Sequence, residues 1–274
     1  MLDRCIACDQ INCLTYFNEE LKVLSCNDCG ALFTEKRSNP KTHYFREGRA
    51  PTFLEKVKTK MTHVRFWKLL SDEYVRYLKS KTDMNFKNTL DIGTHYGSFV
   101  AQLNKLGIDA HGIEANAEYV KFAVTKKIEW DYFDESYQSN KKYDLICLTQ
   151  MLYYLPDSYS ILRHTKNMLT DNGLIFIATV NPQSSLVKNG LVPSLGGDFA
   201  NIMLSKKNFE SLKTKLGLEM IDFTTYRTPL FIDIHSSKNK KIKIAKYILK
   251  LKKAYVPDPD GEHIFLLLRK INKL

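Results

Sequence analysis

Four cysteines near the beginning of the 274-residue chain have the spacing of a metal site. They form two Cys-x-x-Cys pairs, Cys5 with Cys8 and Cys26 with Cys29, separated by seventeen residues. Two residues between cysteines allow a tight turn to present both sulfurs to one ion, and two such turns complete a tetrahedron. A disulfide framework is disfavoured because the first residues lack the apolar core of a secretion signal, and mononuclear iron remains a rival to zinc. We expect a closed, structural zinc site.

The segment that carries these cysteines is too short to bury a large core by itself. Residues 1–38 are therefore expected to form a zinc ribbon in which the ion supplies folding free energy. Cys13 lies between the two pairs, and Cys147 lies within an apolar run. Both are expected to be bystanders to the metal.

A second group of chemically informative residues begins at Leu90. A short strand carries Asp91 and ends at Gly93, a loop reaches Gly97, and a helix follows. The next strand ends in Glu114, 23 residues after Asp91. This order of strand, glycine loop, helix, strand and acid opens a doubly wound nucleotide-binding fold. The glycines let backbone approach a ligand, and Glu114 is placed to accept hydrogen bonds from ribose hydroxyls.

The loop sequence distinguishes between nucleotide ligands. It reads Asp-x-Gly-x-x-x-Gly, and His95 stands where a dinucleotide fingerprint would have its middle glycine. Asp91 at the strand tip would repel a pyrophosphate but would suit a ligand with an ammonium and a sulfonium group. A Walker loop is excluded because no Gly-Lys-Ser/Thr follows. We therefore predict S-adenosylmethionine as the cofactor.

Hydrophobic periodicity supplies the elements that would position these residues. We predict an irregular connector from 35 to 51 and an amphipathic helix from Phe53 to Leu78, with a break near Ser71-Asp72. Strands are then expected at 128–132, 143–150, 174–180, 219–225 and 263–271, and helices at 98–106, 158–169 and 205–216. Strands that alternate with helices indicate a central parallel sheet.

These motifs make residues 86–274 resemble Rossmann-like S-adenosylmethionine-dependent methyltransferases. The resemblance rests on Leu90 to Gly97, Gly112-Ile113-Glu114, Tyr143 to Ile146, Leu155-Pro156-Asp157 and Leu169 to Ile175. Together with the cysteine pairs, the whole chain resembles bacterial zinc-ribbon methyltransferases, which often act on sugars, including nucleotide-sugar C-methylation for surface polysaccharides or natural products. This resemblance implies an α/β fold with a seven-stranded Rossmann-like sheet covered by helices on both faces. It also implies a zinc ribbon at 1–38, a linker and helix at 39–85, a basic insertion at 226–262, and a sugar-like acceptor.

The resemblance also implies roles for individual residues. The aminoacyl end of the cofactor would be held by the first loop, the ribose and adenine by acids after the next two strands, and the donor–acceptor rim by a residue after the fourth strand. In that order the cofactor-binding residues are Asp91, Gly93, Tyr96, Gly97, Glu114, Asp131 and Gln150. Many relatives carry Leu-Glu-His-Leu where this chain has Leu152-Tyr153-Tyr154-Leu155. Tyr154 and His95 are therefore the catalytic candidates, whereas His111, His164 and His235 are expected to be structural.

The formal net charge of +11 is concentrated in one segment. Without the eight lysines between Lys238 and Lys253 it would fall to +3. The stretch Lys240–Lys253 could form a basic amphipathic helix, either solvated or in peripheral contact with an anionic membrane. The chain has no run of 18 apolar residues, so we expect a cytoplasmic protein, peripheral to the inner membrane face in the second case.

Three functions stay open at this point. The first is a methyltransferase acting on a small, sugar-like molecule. The second is an RNA methyltransferase, which is disfavoured because arginine is scarce and no Asn-Pro-Pro-Tyr-like tetrapeptide follows the fourth strand. The third is a non-catalytic binding protein on a methyltransferase scaffold, suggested by the missing Glu-His pair.

The stretch 181–201, with Gly196-Gly197-Asp198, is expected to form a wall of the acceptor site.

Overall fold

The computed structural model describes residues 4–11, 13–18, 22–35, 41, 52, 54, 64–189, 201–228 and 255–271. Several sequence predictions lie outside these residues: most of the connector and of the first half of the 53–78 helix, the Gly196-Gly197-Asp198 wall, His235 and the lysine-rich segment 240–253. Within the described part of the chain, no helix has both the length and the hydropathy to cross a membrane.

Twelve strands and six helices organise the described residues. In chain order the strands are β1 (Leu14–Asn18), β2 (Val23–Cys26), β3 (Leu32–Thr34), β4 (Asn88–Ile92), β5 (Asp109–Glu114), β6 (Ile128–Trp130), β7 (Tyr143–Thr149), β8 (Leu169–Val180), β9 (Ile202–Met203), β10 (Leu218–Arg227), β11 (Val256–Pro257) and β12 (His263–Lys270). The helices are α1 (Arg65–Lys81), α2 (Ser98–Lys105), α3 (Ala117–Lys121), α4 (Ser158–Met168), α5 (Ser185–Lys188) and α6 (Lys206–Leu216), and Leu152–Tyr154 form a 3₁₀ turn.

The central sheet has the strand order β11-β10-β12-β8-β7-β4-β5-β6. Strands β4 to β8 run parallel, and β12 is antiparallel to both β8 and β10. Leu145 to Leu148 in β7 are all fully buried, as expected for a strand covered on both faces. The predicted α/β fold is confirmed, and the two-residue edge strand β11 adds an eighth strand to the seven expected.

The predicted break in the first helix is wrong. Helix α1 runs unbroken through Ser71-Asp72. The Ser71 hydroxyl donates to the Trp67 carbonyl one turn earlier at 2.7 Å, and Lys68 Nζ lies 3.0 Å from Asp72 Oδ2 across one turn. Polar residues that bond within their own helix do not interrupt it.

The start of the fifth core strand also differs from the prediction. The sequence predicted a helix at 158–169 and a strand that begins only at Leu174. Instead β8 begins at Leu169, immediately after α4, and Leu169 pairs with Tyr143 ahead of a register irregularity. The buried Leu169 side chain explains why the chain enters the sheet early.

The cysteine-bearing segment forms a second sheet with the strand order β1-β2-β3-β9. Its fourth strand comes from far along the chain, because Leu32 and Phe33 pair with Met203 and Ile202. Polar contacts fix the same junction. The Ser205 hydroxyl donates to the Cys29 carbonyl, and Gln183 Nε2 donates to the Gly30 carbonyl at 2.7 Å. The ribbon therefore packs directly against the segments that follow β8.

Candidate active site

The loop between β4 and α2 folds back over the end of β5. The Gly93 and Thr94 amides donate to the Ile113 carbonyl at 2.9 and 3.0 Å. Gly93 has a φ of +72°, and a Cβ on it would lie 3.1 Å from the Met151 Cβ. Glycine is required here both by the left-handed backbone and by the close approach of the next loop.

Asp91 lies directly beneath this loop and is 1% exposed. Its Oδ1 accepts a long hydrogen bond of 3.5 Å from the Thr149 hydroxyl, while its Oδ2 has no hydrogen-bond partner among the described residues. Burial raises the pKa of Asp91 to about 7. A buried carboxylate with an unused oxygen at a loop edge provides a favourable position for a cationic ligand group.

Glu114, at the end of β5, ties two loops together. Its Oε2 accepts from the His95 amide at 2.7 Å, and its Oε1 accepts from the Asn116 amide at 2.8 Å. Burial raises the pKa of Glu114 to about 7, and the two backbone donors partly oppose that rise. The carboxylate is thereby fixed in orientation beside the loop between β4 and α2, which we call the donor loop.

His95 adopts a left-handed backbone, with a φ of +56°, although it carries a side chain. Its ring lies 4.2 Å from the Trp67 ring and 3.8 Å from the Tyr119 ring, between centroids, and Tyr96 meets it edge-on at 4.1 Å. These aromatic contacts offset the roughly 1–2 kcal/mol cost of that backbone conformation. Three aromatic rings therefore pack around the half-buried imidazole of His95.

Gly97 and Asp131 lie where the sequence pattern placed them. Gly97 caps α2 with a φ of +72°, and a Cβ there would collide with Ile128. Asp131 directly follows β6, and its backbone amide donates to the Glu114 carbonyl at 3.2 Å. Its carboxylate accepts from the Tyr132 amide at 2.7 Å. The three predicted cofactor-binding acids therefore lie together at the carboxyl ends of the parallel strands β4, β5 and β6.

Gln150 directly follows β7 at the same edge and has a φ of +56°. Its backbone amide donates to the Ala178 carbonyl at 2.7 Å. Its side-chain Nε2 lies 3.2 Å from the Tyr255 hydroxyl and 3.2 Å from His263 Nδ1. Sequence reasoning missed both partners, which lie more than 100 residues further along the chain.

Tyr154 belongs to the 3₁₀ turn after Gln150 and is half-buried. Its ring lies 4.4 Å from the Tyr153 ring, and its carbonyl accepts from Asn201 Nδ2 at 2.6 Å. Tyr154 and Phe17 of β1 pack against one buried apolar cluster, so this candidate catalytic residue lies next to the ribbon. The remaining described histidines lie elsewhere: His111 is next to Asp109, and His164 contacts the Tyr137 carbonyl.

The four cysteine sulfurs of the ribbon converge. Cys5 Sγ lies 3.8 Å from Cys29 Sγ, Cys8 Sγ lies 3.6 Å from Cys26 Sγ, and all four lie within 4.8 Å of one another. A tetrahedron with Zn–S bonds of 2.3 Å needs sulfurs about 3.8 Å apart, so the set fits zinc. Cys13 Sγ lies 3.3 Å from Cys26 Sγ but outside this set of four.

A family model described as a methyltransferase domain matches residues 61–228, which is more than half of the chain. The chain belongs to the methyltransferase-domain family that this model describes. The ubiquinone biosynthesis O-methyltransferase of Glaesserella parasuis serovar 5 is 28% identical over 159 residues, which cover 52% of this chain and 66% of that one. The alignment thus spans just under two-thirds of that relative.

Solved structures show the same fold. A SAM-dependent methyltransferase from Archaeoglobus fulgidus has a TM-score of 0.50 at 18% identity, covering 74% of this chain and 94% of that one. A Haloferax volcanii methyltransferase, solved with the Trm112 methyltransferase activator, has a TM-score of 0.56 at 14% identity, covering 80% of this chain and 95% of that one. These likenesses concern the fold alone.

The residues at the ends of these strands fit S-adenosylmethionine, the cofactor that the sequence predicts. The unpartnered oxygen of Asp91 provides a negative charge for a cationic ligand, and Gly93 leaves the space that a Cβ would fill. Glu114 and Asp131 stand at the ends of the next two strands. Hydrogen-bond acceptors in that order suit an aminoacyl group, a ribose and an adenine.

Proposed function

We propose that this methyltransferase transfers a methyl group to a hydroxyl of a small molecule and that the acceptor is a sugar or nucleotide-sugar. The observation that carries the donor half of the proposal is the buried Asp91 with its unused oxygen beneath the Gly93 loop. The hydroxyl acceptor is supported by the relatives, which are named ubiquinone biosynthesis O-methyltransferases. The sugar class rests on the resemblance to zinc-ribbon methyltransferases.

S-adenosylmethionine supplies an electrophilic methyl group on a sulfonium when bound, so the protein mainly contributes alignment and exclusion of water. Asp91, Gly93 and Gly97 would hold the aminoacyl end, Glu114 the ribose and Asp131 the adenine. Tyr96, the other side chain predicted to bind the cofactor in this loop, packs edge-on against His95.

On the acceptor side, the Tyr154 hydroxyl would orient the incoming hydroxyl group or take its proton. Cys5, Cys8, Cys26 and Cys29 would hold zinc in a closed site that stabilises the ribbon. A peripheral contact of Lys240–Lys253 with an anionic membrane surface also remains a proposal. It concerns residues beyond those that the structure describes.

The acceptor can be identified with methyl-labelled S-adenosylmethionine. We expect label transfer to a member of a nucleotide-sugar panel, with release of S-adenosylhomocysteine, and no transfer to RNA. A parallel panel of ubiquinone precursors tests the other acceptor class, which the names of the relatives suggest. Transfer to these precursors alone would contradict the sugar assignment, and transfer to amines or RNA alone would contradict hydroxyl methylation of a small molecule.

Replacing Glu114 with alanine should weaken cofactor binding by about 10- to 100-fold, because it removes hydrogen bonds to the ribose and frees the His95 amide. Calorimetric titration with S-adenosylhomocysteine measures the effect. Glu118→Ala is the matched control, since Glu118 is an exposed acid on the adjacent α3. Unchanged affinity in Glu114→Ala would remove the ribose assignment.

A further inference from the structure

The amide nitrogen of Gln150 has both of its protons directed into a buried group of side chains. Tyr255 is 3% exposed and His263 is 9% exposed. The Tyr255 hydroxyl and His263 Nδ1 each lie 3.2 Å from Gln150 Nε2. A primary amide nitrogen has two donors and no acceptor capacity, so these two contacts use it completely.

The protonation of His263 follows from this geometry. Burial lowers the pKa of His263 to about 3, so the imidazole is neutral. Because Gln150 Nε2 can only donate, His263 Nδ1 must accept, and the ring proton must lie on Nε2. That Nε2 atom points toward the buried Glu262 carboxylate, with Oε1 3.8 Å away. The ring is thereby held in one tautomer and one orientation.

The Tyr255 ring is equally fixed. Its centroid lies 6.2 Å from that of the buried Tyr74 in a stacked arrangement, and 4.9 Å from the His263 ring in an edge-on arrangement. Phe265 meets it edge-on at 4.9 Å. Packed aromatic rings on several sides leave the hydroxyl little freedom to move away from Gln150.

The carbonyl oxygen of Gln150 is therefore the end of the amide that faces away from this buried group. Gln150 stands at the end of β7, between the ends of β4 and β8, and the next residue, Met151, approaches Gly93 of the donor loop. A carbonyl dipole fixed at this position stabilises positive charge without having to reorganise.

We propose that Tyr255 and His263 are positioning residues that hold the Gln150 amide so that its carbonyl oxygen faces the sulfonium of the donor. The proposal rests on the donor site proposed above. It assigns a role to His263, which begins β12 beside the end of β8, and to Tyr255, which lies within the stretch 226–262 that the sequence predicted to be an insertion.

The comparison of S-adenosylmethionine with S-adenosylhomocysteine isolates this role. The two share every group except the methyl and its positive charge, so general damage to the site weakens both equally. A correctly held carbonyl oxygen favours only the charged one. His263→Leu removes the acceptor for one Gln150 proton, and Tyr255→Phe removes the acceptor for the other. His263→Asn keeps a polar atom near the Nδ1 position.

We expect His263→Leu and Tyr255→Phe each to reduce the preference for S-adenosylmethionine over S-adenosylhomocysteine by about three- to tenfold, measured by calorimetry. His263→Asn should retain most of that preference. His164→Leu and Tyr159→Phe are matched controls, since each loses one hydrogen bond, of 2.9 and 2.8 Å, away from the site. Both should bind the two ligands as the wild type does.

An unchanged preference in Tyr255→Phe and in a folded His263→Leu would overturn the proposal. It would also be overturned if His263→Asn lost as much preference as His263→Leu. Failure of the wild type to bind either ligand would instead contradict the donor site itself, so the two failures are distinguishable. If His263→Leu does not fold, Tyr255→Phe still decides the outcome.

Discussion

Replacing Asp91 with asparagine is expected to weaken S-adenosylmethionine binding by about 10- to 100-fold at pH 8, because a charge-assisted contact to the cationic donor is lost. The variant should fold at least as well as the wild type, since it removes a buried charge that has one unpartnered oxygen. Calorimetric titration measures the affinity, and thermal unfolding of the ligand-free protein measures the stability.

Asp144→Asn is the matched control for this substitution. Asp144 lies at the opposite end of the parallel strands, where its Oδ2 accepts from the Lys87 and Asn88 amides at 2.8 and 3.2 Å. Its replacement should cost some stability and leave donor affinity unchanged. Equal affinity losses in the two variants would mean that Asp91 acts on the fold rather than on the donor.

The same carboxylate makes donor binding depend on pH. Burial raises the pKa of Asp91 to about 7, so the group is protonated below that pH and charged above it. Affinity for the cationic donor should therefore rise between pH 6 and pH 8, by at most tenfold per unit for one proton. Asp91→Asn should flatten this dependence, and the remainder belongs to Glu114, whose pKa is also raised to about 7.

The ligand-free protein should show the opposite trend. In the unfolded chain Asp91 loses its proton around its ordinary pKa of 3.8, whereas in the folded protein it keeps the proton up to about pH 7. The contribution of Asp91 to the free energy of unfolding therefore falls as the pH rises through that window.

Cys26→Ser is expected to have the second large effect, the loss of the metal and of the ordered ribbon. The zinc content should fall from one ion per chain to nearly none. Amide hydrogens of β2 and β3 should then exchange freely, because the segment has little core of its own. Zinc analysis and hydrogen exchange measure the two results, and the parallel sheet around β7 should keep its protection.

The Cys13→Ser variant tests whether Cys13 is a zinc ligand or only a neighbour of the four ligands. Cys13 Sγ lies 3.3 Å from Cys26 Sγ and donates to the Gln10 carbonyl at 3.3 Å, a bond that a serine hydroxyl can also make. This variant should keep its zinc. A metal-free Cys13→Ser, or a Cys26→Ser that still binds one ion, would contradict the assignment of the four ligands.

Unfolding of the ribbon should also loosen the turn that carries Tyr154 on the acceptor side of the site. The Asn201 amide donates to the Tyr153 carbonyl at 2.7 Å, and the Thr34 amide donates to the Asn201 carbonyl at 3.1 Å. Asn201 thus connects β3 to the turn that carries Tyr154. Faster exchange of the Asn201 amide after zinc removal is the expected sign of this connection.

The donor loop was predictable from the sequence because its determinants are local. The spacing from Asp91 to Gly97 specifies a strand, a turn and a helix, and the next strand ends at Glu114. This pattern is specific to few folds. Likewise, Ser205 and Gly217 mark the ends of α6 through a capping box and a left-handed cap. These signals act within a few residues, so no knowledge of the tertiary structure is needed to interpret them.

The contacts that complete the site could not be predicted in this way. His263 and Tyr255 reach Gln150 only because the last strand is inserted antiparallel beside β8. Trp67 covers His95 because α1 packs over the donor loop, and β9 joins the ribbon although its two residues carry no strand signal. In each case the partner is distant in sequence and is specified by packing.

Calorimetric titration of the purified chain with S-adenosylmethionine, S-adenosylhomocysteine and a nicotinamide dinucleotide tests the donor assignment most directly. The Asp91 geometry predicts that each of the first two ligands binds saturably at one site per chain and that the dinucleotide does not bind. Binding of the dinucleotide, with no heat from either methionine derivative, would contradict it.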